Sequence, residues 1–216
     1  MIDLIQESIK ELKLHNSKKR EDHIEKLLDY YNGNDTANYI RRMFSSAIFN
    51  EIPLVETNIT RKFINKMSRI YTIGANRNVS DKYDSLTALK PARMKHIERM
   101  TRLCGTIATR VVWNEGETPY FDYRPVYFFH VFFGDDPFVP SAISYPMLQP
   151  VRDTSKVEKL QYAYWDADKY MVTSENGKTL VETSHGYGTL PFVFTHRENQ
   201  TDSFYVECAN DLINTN

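Results

Sequence analysis

Apolar residues recur every three or four positions through the first hundred residues, which is the spacing of amphipathic helices. We expect these residues to form the core of a helical part, residues 1–104. The stripes are Ile2, Ile5, Ile9 and Leu12; Ile24, Leu27, Leu28 and Tyr31; Tyr39, Ile40, Met43, Phe44, Ala47 and Ile48; Ile59, Phe63, Met67, Ile70 and Tyr71; and Met94, Ile97, Met100 and Cys104.

Four residues predict helix boundaries from their conformational preferences. Ser17 stands where the N-cap of the second helix is expected, because its hydroxyl can accept a hydrogen bond from a free amide of the first turn. Pro53 ends the third stripe, and Gly74 is a suitable C-cap for the fourth. Pro91 is expected at the first position of the last helix, where its missing N–H costs nothing.

From Gly105 onward the apolar spacing changes to two, and β-branched and aromatic residues dominate, as in strands. Asn176 and Gly177 lie between two alternating runs and both tolerate positive φ, so the sequence predicts a hairpin with a type I′ turn. The strand-like runs are TIATRVVW, YFDYRPVYFF, KLQYAYW, KYMVTS, TLVETS and LPFVFTH.

A block of helices followed by a block of strands predicts an α+β fold, because parallel βαβ units would interleave the two. We expect the amino-terminal helices to pack on a mainly antiparallel sheet formed within residues 105–205. Residues 206–216 begin another amphipathic pattern, with Val206, Ala209, Leu212 and Ile213 at helical spacing.

Composition narrows the classes of function. The chain has 216 residues, 41% of them hydrophobic, which is enough for a packed core. Its net charge of −1 argues against a protein whose main role is to grip phosphate backbones. The cysteines, Cys104 and Cys208, have neither metal-site spacing nor disulfide density, which favours a reducing compartment. The amino terminus is not a signal peptide, and no apolar run is long enough to cross a membrane.

Candidate chemistry is sparse, and the sequence predicts no catalytic, cofactor-binding or metal-binding residue. Gly134-Asp135-Asp136 resembles the paired carboxylates of polymerases, but a turn before Pro137 explains it as well. The alternative is a small metal-dependent nucleic-acid-processing enzyme in which Asp135, Asp136 and Asp122 hold the metal. The histidines are scattered without zinc-site spacing and are expected at the surface or half buried; they are His15, His23, His96, His130, His185 and His196.

Charged and aromatic clusters in the sequence are compatible with further binding functions. The run from Lys18 to Asp22 is expected to form a solvated helix face. Six helical cations either bind nucleic acid or form polar faces and subunit contacts: Arg41, Arg42, Arg61, Lys62, Lys66 and Arg69. A head-tail adaptor or scaffold protein would instead bind its partner through exposed aromatic residues, namely Tyr127, Phe128, Phe129, Phe132 and Phe133.

Two stretches, in this order, resemble the portal proteins of tailed bacteriophages. The first is IEKLLDYYNGND with PLVETNITRKFINKMSRIYTIG, within residues 24–74, which is similar to a helix ending in a Tyr-Tyr-x-Gly turn followed by a Val-x-x-Asn segment that opens a helix. The second is GTLPFVFTHRENQTDSFYVECANDLINTN, residues 188–216, which is similar to a glycine turn, a Pro-Phe-Val strand and an Asn-Asp-Leu-Ile helix start.

The resemblance implies a structural role without enzymatic activity or cofactors. The chain would be the amino-terminal wing part of a portal, truncated before the stem helices that follow residues 206–216. The full-length protein would form a dodecameric ring at one vertex of the virion, assembled in the bacterial host cytoplasm. Its implied partners are the major capsid protein, the terminase large subunit, head-tail adaptor proteins and the double-stranded DNA that passes through the channel; no membrane is involved.

Overall fold

The computed structural model describes residues 6–7, 9–11, 15–34, 41–51, 58–71, 78, 80–86, 90–115, 119–147, 160–200 and 203–206. The fold is α+β, as the sequence predicts. The helices are α1 (His15–Asn32), α2 (Ser46–Glu51), α3 (Ile59–Met67), α4 (Asp81–Ser85) and α5 (Lys90–Cys104). The strands are β1 (Thr106–Asn114), β2 (Tyr120–Val126), β3 (His130–Phe133), β4 (Pro140–Pro146), β5 (Gln161–Trp165), β6 (Lys169–Ser174), β7 (Thr179–Ser184) and β8 (Phe192–His196).

The strands form two antiparallel sheets where the sequence suggested one. The smaller sheet has the order β2-β1-β8 and the larger has the order β3-β4-β5-β6-β7. The order is sequential except for β8, which returns to pair with β1. Strands β3 and β4 were not among the runs identified from the sequence, because β3 has four residues and β4 begins and ends at proline, which is unfavourable inside a sheet.

The first core lies between the helices and the smaller sheet. The buried residues Ile24, Leu27 and Leu28 of α1 meet Ile97, Met100 and Leu103 of α5, together with Ile64 of α3. Ile107 of β1 and Tyr127 close this cluster from the sheet side. The stripes predicted for α1 and α5 are therefore core residues, as expected.

The second core lies between the two sheets. Ala108 of β1 faces this cluster, whereas its neighbour Ile107 faces the helices, because successive strand residues point to opposite faces. Ile143 and Trp165 approach from the larger sheet, and Phe129 is 2% exposed at the centre. The smaller sheet is thus covered by helices on one face and by the larger sheet on the other.

The outer face of the larger sheet carries a third cluster. Tyr162, Tyr164 and Met171 point to this face and pack with Ile9, the one residue of the first predicted stripe that the structure describes. Residues 6–7 and 9–11 are helical there. The helices therefore do not form a single layer, since the first helical residues cover the opposite side of the sheets from α5.

Several predicted boundaries are shifted. Helix α1 begins at His15, so Ser17 lies inside it and is not its N-cap. Helix α5 begins at Lys90, one residue before Pro91. Helix α3 ends at Met67 with Ser68 as its C-cap, so the helix does not extend to Gly74. Pro53, Gly74 and residues 207–216 of the last predicted helix lie outside the described residues.

The hairpin between β6 and β7 is present, but its turn differs from the predicted one. Gly177 has φ 77°, whereas Asn58 is the one non-glycine residue with positive φ among those described, so Asn176 does not adopt the type I′ conformation. The N–H of Gly177 donates to the Ser174 carbonyl at 2.9 Å, and the N–H of Ser174 donates to the Lys178 carbonyl at 2.8 Å. This pattern is a three-residue loop with glycine in the left-handed position. The register shift between Val172 and Thr173 is separate from the loop, because it leaves Leu180 of β7 as an extra residue between the partners Thr179 and Val181.

Among the helices that the structure describes, none has both the length and the apolar content that crossing a bilayer requires.

Candidate interaction surface

The residue that begins helix α3 is well suited to the N-cap position. Asn58 has φ 42° and ψ 54°, and its side-chain oxygen accepts a hydrogen bond from the Arg61 N–H at 3.1 Å. Its amide group donates to the Tyr31 carbonyl at 3.3 Å, which links the start of α3 to the end of α1. Asparagine suits both roles, because it tolerates the left-handed conformation and caps a free amide. The predicted opening of a helix at Asn58 is confirmed.

Only a narrow face of α3 packs against the rest of the protein. Thr60, Ile64 and Ser68 are buried, and Ile64 is 1% exposed in the core between α1 and α5. The Tyr31 hydroxyl donates to the Asn65 side chain at 3.3 Å. After the helix ends, the N–H of Ile70 donates to the buried carboxylate of Glu98 on α5 at 3.3 Å. Contacts from α1 and α5 therefore fix the orientation of α3 about its axis.

The opposite face of α3, together with Ile70 just after the helix ends, exposes large apolar side chains. Ile59, Phe63, Met67 and Ile70, here called the α3 stripe, are 53%, 47%, 44% and 67% exposed. The first three lie one helical turn apart, so they form a continuous row. The sequence placed these residues in the core, and that prediction is wrong, because the shorter face carrying Ile64 is the one that is buried. Burying these four side chains would remove a large apolar area from water, so the α3 stripe has the character of a binding surface.

Cations line one side of the α3 stripe. Lys62 and Lys66 are exposed and occupy the next row around the helix, and Arg69, just after the helix ends, is exposed as well. Arg69 Nε donates to the Lys66 carbonyl at 2.9 Å, and the Arg61 guanidinium lies 5.8 Å from the Tyr31 ring centroid. Residues 58–71 contain no Asp or Glu. The surface is therefore both apolar and basic.

The preceding helical segment has the same character. Met43, Phe44 and Ile48 are exposed, although the sequence predicted them to be core residues. Arg41 and Arg42 are exposed beside them. Two segments adjacent in sequence thus present apolar side chains with cations, rather than burying them.

A second exposed apolar surface carries the opposite charge. The β3–β4 tip, defined as residues 134–139 with the adjoining Phe133, exposes Phe133, Phe138 and Val139. Asp135 and Asp136 lie between them, and residues 131–142 contain no Lys or Arg. Phe133 packs edge-on against Phe204, with ring centroids 5.4 Å apart, which fixes the base of the tip to the body of the protein.

The carboxylates considered as metal ligands have structural contacts. The Asp136 carboxylate accepts the Phe138 N–H at 2.8 Å, and the Val139 N–H donates to the Asp136 carbonyl at 3.3 Å, so the predicted turn is confirmed. Asp122 lies on β2, where Arg93 and Arg124 contact its oxygens at 3.5 Å and 3.2 Å. Over the described ranges, no three His, Cys, Asp or Glu side chains are grouped to hold a metal ion.

The aromatic residues predicted for an adaptor surface are mostly core residues. Tyr127, Phe128 and Phe129 are 8% exposed or less. Phe132 is partly buried against the third cluster, and Phe133 alone of the five is classed as exposed. The run of aromatics marks the place where the chain passes between the two sheets.

The basic run near the amino terminus also departs from prediction at one position. Lys19 and Asp22 are exposed, as expected. Arg20 instead extends its guanidinium over the Tyr205 ring at 4.2 Å and the Phe129 ring at 5.5 Å. Tyr205 is held in turn, since its hydroxyl accepts the Val131 N–H at 3.1 Å and donates to the Phe129 carbonyl at 3.3 Å.

The histidines lie apart, in half-buried positions. His96 contacts the Tyr127 hydroxyl at 3.1 Å, His196 contacts the Thr106 hydroxyl at 3.1 Å, and His185 stacks between Trp165 and Tyr187. These contacts are structural, as the sequence suggested. His15 is the first residue of α1, and its side-chain surroundings are outside what the structure describes.

The surfaces that stand out are therefore the α3 stripe with its cations and the acidic β3–β4 tip. From the sequence, the apolar residues of the stripe were expected in the core, and its cations at nucleic acid, polar faces or subunit contacts. Asp135 and Asp136 were expected in a turn, with a metal site as the alternative, and Phe133 among exposed aromatic residues. Comparison of the chain with models of protein families and with curated proteins gives no match to any of them.

Proposed function

We propose that this chain is a structural subunit of a phage portal ring, the channel at one capsid vertex through which DNA enters and leaves and which connects head to tail. The protein acts by assembly rather than by catalysis. Its partners are further copies of itself, the major capsid protein, the terminase large subunit, head-tail adaptor proteins and the double-stranded DNA that passes through.

The observation that carries this proposal is the exposure of the α3 stripe. Four large apolar side chains, three along α3 and one just after it, are costly to leave in water, and a protein that works in an assembly covers them with a neighbour. The stripe lies within the segment that resembles portal proteins, residues 53–74. Helix α3 also opens at Asn58, the position at which the portal pattern opens a helix.

The order of the elements supports the same proposal. Helices precede an antiparallel β part, the hairpin of β6 and β7 follows, and the Pro191-Phe192-Val193 segment enters β8. The N–H of Val206 donates to the Thr106 hydroxyl at 2.7 Å, so the chain is anchored to the sheet just before the Asn-Asp-Leu-Ile segment. A net charge of −1 suits a channel that must let DNA slide.

The alternatives have less support from the contacts described above. An adaptor that binds through Tyr127, Phe128 and Phe129 would need those buried side chains at the surface. A metal enzyme would have to draw Asp122 away from Arg93 and Arg124. The turn and the exposed position of the tip are sufficient to explain its aspartates without a metal ion.

Electron microscopy tests the proposal directly. The protein expressed from its natural reading frame should form rings with a central hole, and light scattering should give a mass of many subunits. A stable monomer at all accessible concentrations, or a compact dimer without a hole, would refute the portal assignment.

A further inference from the structure

We propose that the α3 stripe of one copy of this chain binds the β3–β4 tip of the next copy, head to tail. This inference rests on the proposed function and specifies the contact between subunits. The α3 stripe supplies Ile59, Phe63, Met67 and Ile70 with the cations Lys62 and Lys66. The tip supplies Phe133, Phe138 and Val139 with Asp135 and Asp136.

The two surfaces match in both apolar character and charge. The stripe segment, residues 58–71, carries Arg61, Lys62, Lys66 and Arg69 and no acid, whereas residues 131–142 carry two aspartates and no Lys or Arg. Opposite charges around apolar patches steer the encounter and fix its orientation, while the apolar contacts supply most of the affinity.

The fold keeps the two surfaces of one molecule apart. Helix α3 belongs to the helical layer on one side of the smaller sheet, and β3 and β4 belong to the larger sheet on the other side. In the part of the chain that the structure describes, neither Asp135 nor Asp136 pairs with a cation. Since the surfaces are complementary and separated, they meet between copies.

A contact between two different surfaces has a consequence for assembly. After two copies pair, one of them still has a free stripe and the other a free tip. Further copies can therefore add at both ends until the chain of subunits closes into a ring. A contact that pairs one surface with itself would stop at a dimer. A stripe-to-tip contact is therefore the kind that builds rings.

Nucleic acid is the other ligand that a basic surface can attract, but the side chains of the α3 stripe favour a protein. A groove that follows a phosphate backbone uses cations with aromatic or polar side chains, whereas aliphatic Ile59, Met67 and Ile70 gain nothing from phosphate. These side chains need an apolar partner, which the tip provides.

Charge reversal tests the contact in the protein expressed from its natural reading frame. K62E/K66E and D135K/D136N should each lose the oligomer in light scattering, with unchanged circular dichroism, because the altered side chains are exposed and asparagine keeps the oxygen that accepts the Phe138 N–H. An equimolar mixture of the two variants should regain it, since the carboxylates introduced beside the stripe of one then meet the lysine introduced at the tip of the other. K82E/K178E, which changes the net charge by the same amount as K62E/K66E at exposed sites elsewhere, should assemble as the natural protein does.

Cross-linking gives a second, independent readout. In a C208S background, F63C mixed with F138C should form an inter-chain disulfide under oxidising conditions, whereas F63C alone should not. This measurement is informative even if the natural protein is a monomer, because disulfide formation traps weak, transient contacts between copies. Absence of the heterodimeric cross-link would overturn the inference.

The outcomes separate this inference from the proposed function. Rings that persist in both charge-reversal variants would leave the portal proposal standing and reject the stripe-to-tip contact. A cross-link that forms in a protein giving open filaments would support the contact and reject the ring. Intact oligomers in K62E/K66E with lost binding of double-stranded DNA would show that the stripe binds nucleic acid instead.

Discussion

Residues that are adjacent in this sequence can have very different surroundings in the structure. Arg20 and Lys19 are adjacent in a charged run, yet Lys19 is exposed and Arg20 stacks on Tyr205 and Phe129. The long apolar stem of arginine lets its charged group lie on aromatic faces inside the structure. The expectation of a solvated face holds for Lys19 and fails for Arg20, because the position of Tyr205 depends on a contact between residues far apart in sequence.

Three half-buried histidines are expected to lower stability at acidic pH. Burial is the main cause that lowers the pKa of His96, His130 and His196 below the ordinary value; Arg93 and Arg99 add to the effect at His96, while Glu11 and Glu7 oppose it at His130. In the unfolded chain these groups bind protons near pH ~6.5. The unfolded state therefore holds more protons than the folded state below that pH, and the free energy of unfolding falls as the solution is acidified.

We expect urea denaturation to show stability decreasing from about pH 7.5 to about pH 5.5, where few carboxylates titrate. The H96Q variant should show a shallower decrease, since one of the three proton uptakes is removed. Stability that stayed constant or rose over this interval would contradict the assignment.

Glycine substitutions separate backbone strain from steric contact. At Gly177, with φ 77°, an added Cβ would lie 3.0 Å from Gln6 Cγ. Gly186 has φ 65° and open space around it, and Gly134 has open space without positive φ. We expect G134A to be close to neutral, G186A to cost about 1 kcal/mol, and G177A to cost at least as much. Thermal denaturation of the three variants measures this order, and equal effects would refute it.

At the scale of elements, helix α3 shows how two apolar faces compete for the core. Ile64 and the small residues Thr60 and Ser68 face α1 and α5, and the larger stripe faces solvent. Short side chains let α3 approach its neighbours closely, and the hydrogen bonds from Tyr31 and to Glu98 fix its rotation. Periodicity alone selects the larger stripe, which explains the wrong prediction.

Neighbouring residues on α3 provide a matched test of this orientation. We expect I64A to cost about 2–5 kcal/mol in the free energy of unfolding, because it leaves a cavity in the helical core. F63A removes a larger side chain from an exposed position and should change stability by less than about 0.5 kcal/mol in the monomer. Chemical denaturation measures the free energy of unfolding of both variants. A larger loss for F63A than for I64A would mean that the stripe is the buried face.

At the scale of the whole molecule, the helical and β parts are joined through the first core, between the helices and the smaller sheet. The chain passes from α5 to β1 at Gly105, with φ 83°, whose N–H donates to the Thr101 carbonyl at 2.9 Å and whose carbonyl accepts the Arg197 N–H at 2.8 Å. The next residue, Thr106, is fully buried and contacts both His196 and Val206. The end of the described chain is therefore tied to the junction of the two parts.

This shared core predicts cooperative unfolding. Trp113 and Trp165 report on the two sheets by fluorescence, while far-ultraviolet circular dichroism reports mainly on the helices. Because α5 packs directly on Ile107 and Tyr127, we expect the two signals to change together in one transition of the monomer. Two separate midpoints would show that residues 15–104 and the sheets fold as independent units.

The sequence by itself determined where helices give way to strands, because local periodicity and β-branched residues report on backbone conformation. It placed the start of β1 at Thr106, the buried stripe of α5 and the hairpin at Gly177 correctly. Only the tertiary structure decided that the strands form two sheets, that Arg20 stacks inside and that α3 turns its larger apolar row outward. These outcomes depend on which distant partner each face meets, and the pattern along one segment carries no information about that partner.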